Sequence, residues 1–376
     1  MDERIDGEDR AVTVLERLLT DDQIQQFVEQ GVLVVPDVLT PDQVAEARQG
    51  LHSELAKYGV DHENLQETGA NLKKLSSTGG AGGILDLFYP SWRLKVAEHE
   101  QVFAAMTDLW QATYAQNHPD FQHPFGPFDG KRGYMYINRV CYRVPDDVSI
   151  KFAAKDGNKK KARPMQRSLT PHWDCCPSNM YDSGKRVPRW RPIQCITVLT
   201  DNTEPNTGGF EAVPGFHKEF AAYAAIRQQV GTAAAAAAAT TAAVVEEDFG
   251  SSAGRPQVCL GDFSPLRMQE DRAVIDRYRH ISCRAGSVIF FDWRIPHANS
   301  YKHVGTCPRE VIYTGFLPAT AMNRTYAREQ LRRYKARFVP VDHWQKADAD
   351  VPRVTEDLSV HTFSALGTRL IGLSPW

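Results

Sequence analysis

The sequence predicts an antiparallel β-sandwich or barrel with helices packed on its flanks, and three observations predict it. From residue 133 onward, short runs rich in β-branched and aromatic residues are separated by Gly, Pro and Asn: Gly133–Val144, Ile193–Thr200, Phe210–Val213, Ile281–Cys283, Ser287–Asp292 and Arg309–Phe316. Before residue 133 the texture is helical, with one short β-branched run. The composition is that of a folded globular chain: 376 residues, 42% hydrophobic and 24% charged, which excludes collagen-like, coiled-coil and disordered classes.

The N-terminal elements carry explicit stop and start signals. Thr20 with Gln23, and Thr40-Pro41-Asp42-Gln43, each pair a capping hydroxyl with a Gln three residues on. Gly31 and Gly59 stand where helices end, and Val32–Val35 between them reads as a short buried strand. Residues 69–83 are rich in Gly and Ser but lack the G-K-[ST] of a phosphate loop, so a mobile loop is expected there. Residues 91–117 read as helix.

Two insertions interrupt the strands: a basic run from Lys155 to Arg163 and an alanine tract from Ala233 to Ala239. Both are expected on the solvent side, the second because alanine favours helix yet offers no apolar stripe to bury. The tail, 322–350, carries a basic helical pattern expected to face solvent. The division is an N-terminal helical region, 1–132, a catalytic core, 133–320, with insertions at about 151–165 and 221–275, and an extension, 321–376, forming one integrated domain.

Charge and cysteine usage narrow the partners. Lys and Arg number 44 against 46 Asp and Glu, a net charge of −2, so no global field recruits nucleic acid or an anionic membrane. The seven cysteines are odd in number, scattered and without a C-x-x-C pair, which argues against a disulfide framework. The acidic start MDERIDGEDR has no apolar segment, and no run approaches the ~18 apolar residues of a membrane span. A reduced, cytoplasmic protein acting on a small molecule is expected, its oligomeric state left open.

The chemistry concentrates at Pro171-His172-Trp173-Asp174. In an extended strand residues two apart share a face, so His172 and Asp174 present an imidazole and a carboxylate side by side. His297, after the apolar run Phe290-Phe291-Asp292-Trp293, is the best third ligand. Two histidines and a carboxylate on one face leave coordination positions open, as in non-haem Fe(II) oxygenases. Cys175 and Cys176 keep a closed zinc site as the alternative. Beyond His297 the strand alternation puts Arg309, Val311 and Tyr313 on one face, where a guanidinium fork suits a co-substrate's carboxylate.

With Phe27–Pro36, His172-Trp173-Asp174, the run Thr203–Lys218 (TEPNTGGFEAVPGFHK), His297 and Arg309, the chain resembles the phytanoyl-CoA dioxygenase family of Fe(II)/2-oxoglutarate oxygenases over roughly residues 20–316. The resemblance implies a double-stranded β-helix, a cupin-like jelly roll, flanked by helices. It implies His172, Asp174 and His297 as iron ligands, Arg309 as partner of the 2-oxoglutarate C5 carboxylate, and Gln194 and Tyr136 as residues that help seat the co-substrate. Fe(II), 2-oxoglutarate and O2 would be required, with ascorbate in support, and hydroxylation of a lipid-derived molecule, an acyl-CoA or a secondary metabolite would release succinate and CO2. Two departures stand out: Phe216 replaces a Ser in the P-G-S-H-K run, and His297-Ala298-Asn299-Ser300 replaces an H-G-S turn.

Blander readings compete. His217 and Lys218 read as the end of a turn, His303 as a solvated histidine, and Trp173, Trp190, Trp293, Tyr134 and Phe210 as core or cavity lining. The basic run reads as a solvated loop, with an anionic substrate as its alternative function. Against the enzyme stand an idle ligand-binding jelly roll, which loss of a triad member would favour, and a zinc hydrolase, for which Arg309 has no purpose. Asp174 argues against a halogenase.

Overall fold

The computed structural model describes residues 16–155, 165–166, 168, 170–175, 187–226, 264–340 and 361–376. The alanine tract, the basic run beyond Lys155, Cys176 and Cys259 lie outside them. In chain order the strands are β1 (Val32–Val35), β2 (Ile84–Leu85), β3 (Gly133–Met135), β4 (Val140–Arg143), β5 (His172–Trp173), β6 (Ile193–Val198) and β7 (Phe210–Ala212). They continue with β8 (Ser264–Pro265), β9 (Arg279–His280), β10 (Val288–Asp292), β11 (His297–Asn299), β12 (Arg309–Ile312) and β13 (Phe316–Pro318).

These strands form a six-stranded sheet, β1-β10-β6-β12-β4-β2, a five-stranded sheet, β8-β5-β11-β7-β9, and the pair β13-β3. All the pairings are antiparallel. The two large sheets meet face to face: Phe210 of β7 lies 5.0 Å from Phe291 of β10, ring centre to ring centre. This is the jelly-roll core, and although helices hold more residues than strands, the centre of the molecule is β. β10 is buried on both faces, which explains why it reads as an unbroken apolar run rather than an alternation.

The helix signals act as read. Thr20 and Thr40 each make a full capping box, opening α1 (Asp21–Gln30) and α2 (Pro41–Lys57). Gly31, at φ +64°, closes α1 by donating to Phe27 O at 2.7 Å. Past α2, Gly59 N–H reaches Ala56 O and Val60 N–H reaches Leu55 O, a closure that needs the positive φ of Gly59. The chain then enters β1, whose register Val32↔Phe291 to Val35↔Val288 fastens the N-terminal segment to the core sheet.

Several elements differ from the reading. The stretch 91–117 is two helices, Ser91–Ala97 and Glu100–Ala112, because Glu98 turns aside to accept from Ser364 N, Ser364 Oγ and His361 Nε2. Gly133–Val144 divides into β3 and β4 where Gln330, from the helix Ala321–Ala336, takes Ile137 N–H and donates to Met135 O in place of a strand partner. Ile281–Cys283 is not a strand; pairing there reduces to β9 and a single Asn202↔Cys283 bridge. The Gly-rich segment expected to be mobile forms 3-10 turns, Gly69–Leu75 and Ala81–Gly83, the second pressed onto β4. A Cβ on Gly83 would stand 2.6 Å from Arg143 Cα. Arg324, Arg328 and Arg332 face solvent, whereas Arg333 is buried and donates to Val339 O. No helix among the described residues is long and apolar enough to cross a membrane.

Candidate metal centre

Antiparallel pairing brings two distant histidines together, because His172 of β5 stands directly opposite His297 of β11. Their rings lie 4.3 Å apart, centre to centre. Asp174 follows β5, with Oδ1 3.7 Å from His172 Nε2 and Oδ2 3.5 Å from His297 Nε2. One ligand atom from each of the three residues falls within 4.8 Å of the other two.

The ring orientations are fixed from behind. His172 Nδ1–H donates to Thr170 O at 2.7 Å and His297 Nδ1–H donates to Ile295 O at 2.9 Å, which leaves both Nε2 lone pairs turned toward Asp174. Burial, then the neighbouring His297, pushes the His172 imidazole down to about 4, so it is neutral at neutral pH. Burial alone would raise the Asp174 carboxyl, but the close approach of His297, with His172 and Arg191 beyond, holds it below the usual carboxylate range. Gln194 Nε2, from β6, donates to Asp174 Oδ2 at 2.5 Å and fixes that carboxylate. Two imidazole nitrogens and one carboxylate fit a divalent cation with positions left open. Cys175 is buried and does not join this cluster, so the described residues do not form a closed thiolate site.

Arg309 approaches from the opposite sheet. Its Nη1 donates to Asn299 Oδ1 at 3.2 Å and contacts Cys141 Sγ at 3.3 Å, and it is 3% exposed. Asn299 lies two residues beyond His297 on β11 and so shares its face. That sets Asn299, the partner of Arg309, one strand repeat from His297, a rise of roughly 6.6 Å. Asn299 Nδ2 also donates to Gly82 O at 3.3 Å, which ties the glycine turn to this polar cluster.

Tyr136 is buried with its ring between two cations, Arg189 at 5.0 Å and Arg191 at 4.5 Å from the centroid. Gly315, which bridges to Gln194, packs on the same ring, so Tyr136 and Gln194 are neighbours. His217 stands apart from the triad: it is buried and bonds to Val28 O through Nε2, holding α1 in place. His303 is buried rather than solvated, packed between Gly208 and Gly305, with burial and then Arg143 pushing it down to about 4. Trp173, Trp190, Trp293 and Phe210 are core residues. Sequence reasoning did not single out Arg191, Asn299 or Gly82 as parts of the site. Only Asn299 had a local signal, its two-residue offset from His297.

No curated protein matches the chain. Among solved structures, the chain is similar to the hypothetical protein JW0805 from Escherichia coli, with 16% identity, a TM-score of 0.59, and coverage of 94% of this chain and 82% of that one. A putative oxidoreductase from Salmonella typhimurium LT2 matches at 14% identity and TM-score 0.57, covering 94% and 83%. GlcNAc Inducible Gene 2 from Candida albicans matches at 13% identity and TM-score 0.65, covering 95% and 77%. At these identities the likeness is one of fold. The family model described as phytanoyl-CoA dioxygenase matches residues 27–311, a span that contains His172, Asp174, His297 and Arg309, and the chain belongs to that family.

Proposed function

We propose that the protein is an Fe(II)- and 2-oxoglutarate-dependent dioxygenase that hydroxylates a small organic molecule, with release of succinate and CO2. Family membership supports an oxygenase-type function. The observation that carries the reading is the cross-strand pair His172↔His297 with both Nδ1–H groups bound to carbonyls and both Nε2 atoms facing Asp174.

His172, Asp174 and His297 would hold the iron, which when bound with 2-oxoglutarate supplies O2 activation. The chain's own work is positional. Thr170 O and Ile295 O hold the two imidazoles in one tautomer, and Gln194 restrains the carboxylate. Arg309 would receive the C5 carboxylate of 2-oxoglutarate through its planar N–H pair, in a pocket dry enough for that charge-assisted bond to count. Phe291 and Phe210 pack on His297 at 4.7 and 5.6 Å and exclude water from one side of the centre. The near-neutral net charge suits a small molecule rather than nucleic acid, and a cytoplasmic location accords with the reading.

Anaerobic titration of the metal-free chain with Fe(II) and 2-oxoglutarate, followed by visible absorption, tests the reading. A metal-to-ligand charge-transfer band is expected in the wild type and is lost in His297→Ala, Asp174→Ala and His172→Ala, each of which retains the circular-dichroism spectrum of the parent. Wild-type iron affinity in His297→Ala would remove that residue from the centre.

A further inference from the structure

The triad is not equally enclosed on all sides. The side chains of His172 and His297 are each 8% exposed, while that of Asp174 is 18% exposed, so the centre opens on the carboxylate's side. On that side stands Arg191, in the segment leading into β6. Its guanidinium carbon sits over the Tyr136 ring, 4.5 Å from the centroid, a cation–π contact that restrains the long side chain.

Arg191 Nη2 is 3.7 Å from Asp174 Oδ2, close enough to feel the charge and too far to hydrogen-bond. The oxygen it faces already accepts from Gln194 at 2.5 Å. Among the described residues no hydrogen bond uses any of the five Arg191 N–H donors, although the side chain is only 11% exposed. A guanidinium largely enclosed by protein yet making no hydrogen bond has its donors available to a ligand that enters on this side. Among the described residues the one carboxylate paired with it is Asp174, whose charge a metal held by the triad would take up. Arg189, on the same Tyr136 ring, adds a second positive charge to this wall.

We infer that Arg191, braced on Tyr136, receives a carboxylate of the organic substrate, so that the molecule acted upon is an anion anchored on the Asp174 side of the triad. The inference rests on the oxygenase reading and names its substrate class. It separates two guanidinium sites by position: Arg309, deep between the sheets, for the co-substrate, and Arg191, at the opening, for the substrate.

The test uses the full chain loaded with Mn(II) and saturating 2-oxoglutarate, and measures paramagnetic broadening of the proton signals of n-alkanoates from acetate to octanoate beside their matched amides. At least one alkanoate is expected to broaden while its amide does not. Arg191→Met should weaken alkanoate binding about tenfold, the loss of a charge-assisted contact, and Arg191→Lys should restore part of it. Binding of 2-oxoglutarate should stay within twofold in both variants. Equal broadening of acids and amides, or alkanoate binding unchanged in a folded Arg191→Met or Arg191→Gln protein, would overturn the inference and leave Arg191 as a counter-ion to Asp174. A tenfold loss of 2-oxoglutarate affinity in Arg191→Met would assign it to the co-substrate instead. If wild-type protein binds neither Mn(II) nor 2-oxoglutarate, the oxygenase reading fails first and the inference falls with it.

Discussion

Asn299 joins three things that no single strand could hold together. Its Oδ1 takes Arg309 Nη1, its Nδ2 donates to Gly82 O and, at 3.4 Å, to Tyr313 OH, and its backbone follows His297 on β11. The guanidinium that would bind the co-substrate is thereby aimed from the same strand that carries His297. Arg309→Lys is expected to weaken 2-oxoglutarate binding roughly ten- to a hundredfold while leaving metal affinity intact, since an ammonium cannot reproduce the two-point fork. Asn299→Leu removes the aim and keeps the charge, so its effect should be smaller and of the same kind. Calorimetric titration of the Mn(II)-loaded protein checks both, and an unchanged constant in Arg309→Lys would take that residue out of the site.

At the scale of elements, β12 faces two ways. Arg309 points inward, and the next residue, Glu310, points outward to α2, where its carboxylate accepts from Arg48 Nε at 2.9 Å and Nη2 at 3.2 Å and meets His52 Nε2 at 2.9 Å. Burial would raise the Glu310 carboxyl, but the bonds from His52 and Arg48 outweigh it and hold it below its ordinary value. A carboxylate whose folded pKa is depressed adds stability above its unfolded pKa and loses it as pH falls through the folded value. Arg48→Met should therefore cost about 1–2 kcal/mol at pH 7, a figure kept low because Arg48 is partly solvated, and the gap from wild type should close as pH drops below about 4. Urea unfolding at both pH values decides it, and a gap independent of pH would mean packing, not charge, joins α2 to β12.

Elements also mark the limit of what could be read beforehand. The two capping boxes, the apolar β10 and the His172-x-Asp174 clip were legible because each is a local pattern. β2, β5, β8 and β9 have two residues each, too few to show any periodicity, and the Gly82–Asn299 and Arg191–Tyr136 contacts depend on which loop meets which strand across the barrel. His303 misled for the same reason: its polar surroundings in sequence are covered by Gly208 and Gly305, whose missing side chains let the ring pack inside.

Over the whole molecule, the C-terminal residues close the shell around the sheets. Trp376 Nε1 donates to Gly133 O at 2.7 Å and its ring lies 5.6 Å from Phe103, while the helix Ala365–Ile371 buries Leu370 and Ile371 against the core. The contact lies at β3, on the pair β13-β3, away from the strands that carry the triad. Trp376→Ala is expected to lower stability by about 2 kcal/mol, less than a fully buried tryptophan would cost because this ring is half-buried. Mn(II) and 2-oxoglutarate affinities should not change, and a parallel loss of metal binding would show that the C-terminal contacts reach the centre.

The pairing of His172 with His297 has a thermodynamic side. β5 is two residues long and meets β11 through that one register position and β8 through two, so the strand that carries His172 and leads into Asp174 has few pairings to hold it. A cation bound by all three would act as a cross-link between chain segments far apart in sequence, adding stability of about 2.7 kcal/mol at a concentration one hundred times its dissociation constant. Hydrogen exchange at Trp173 should then slow on metal loading more than exchange in β10, whose ladders are complete on both edges. The bound ion would, in the same act, finish folding the strand that begins its site.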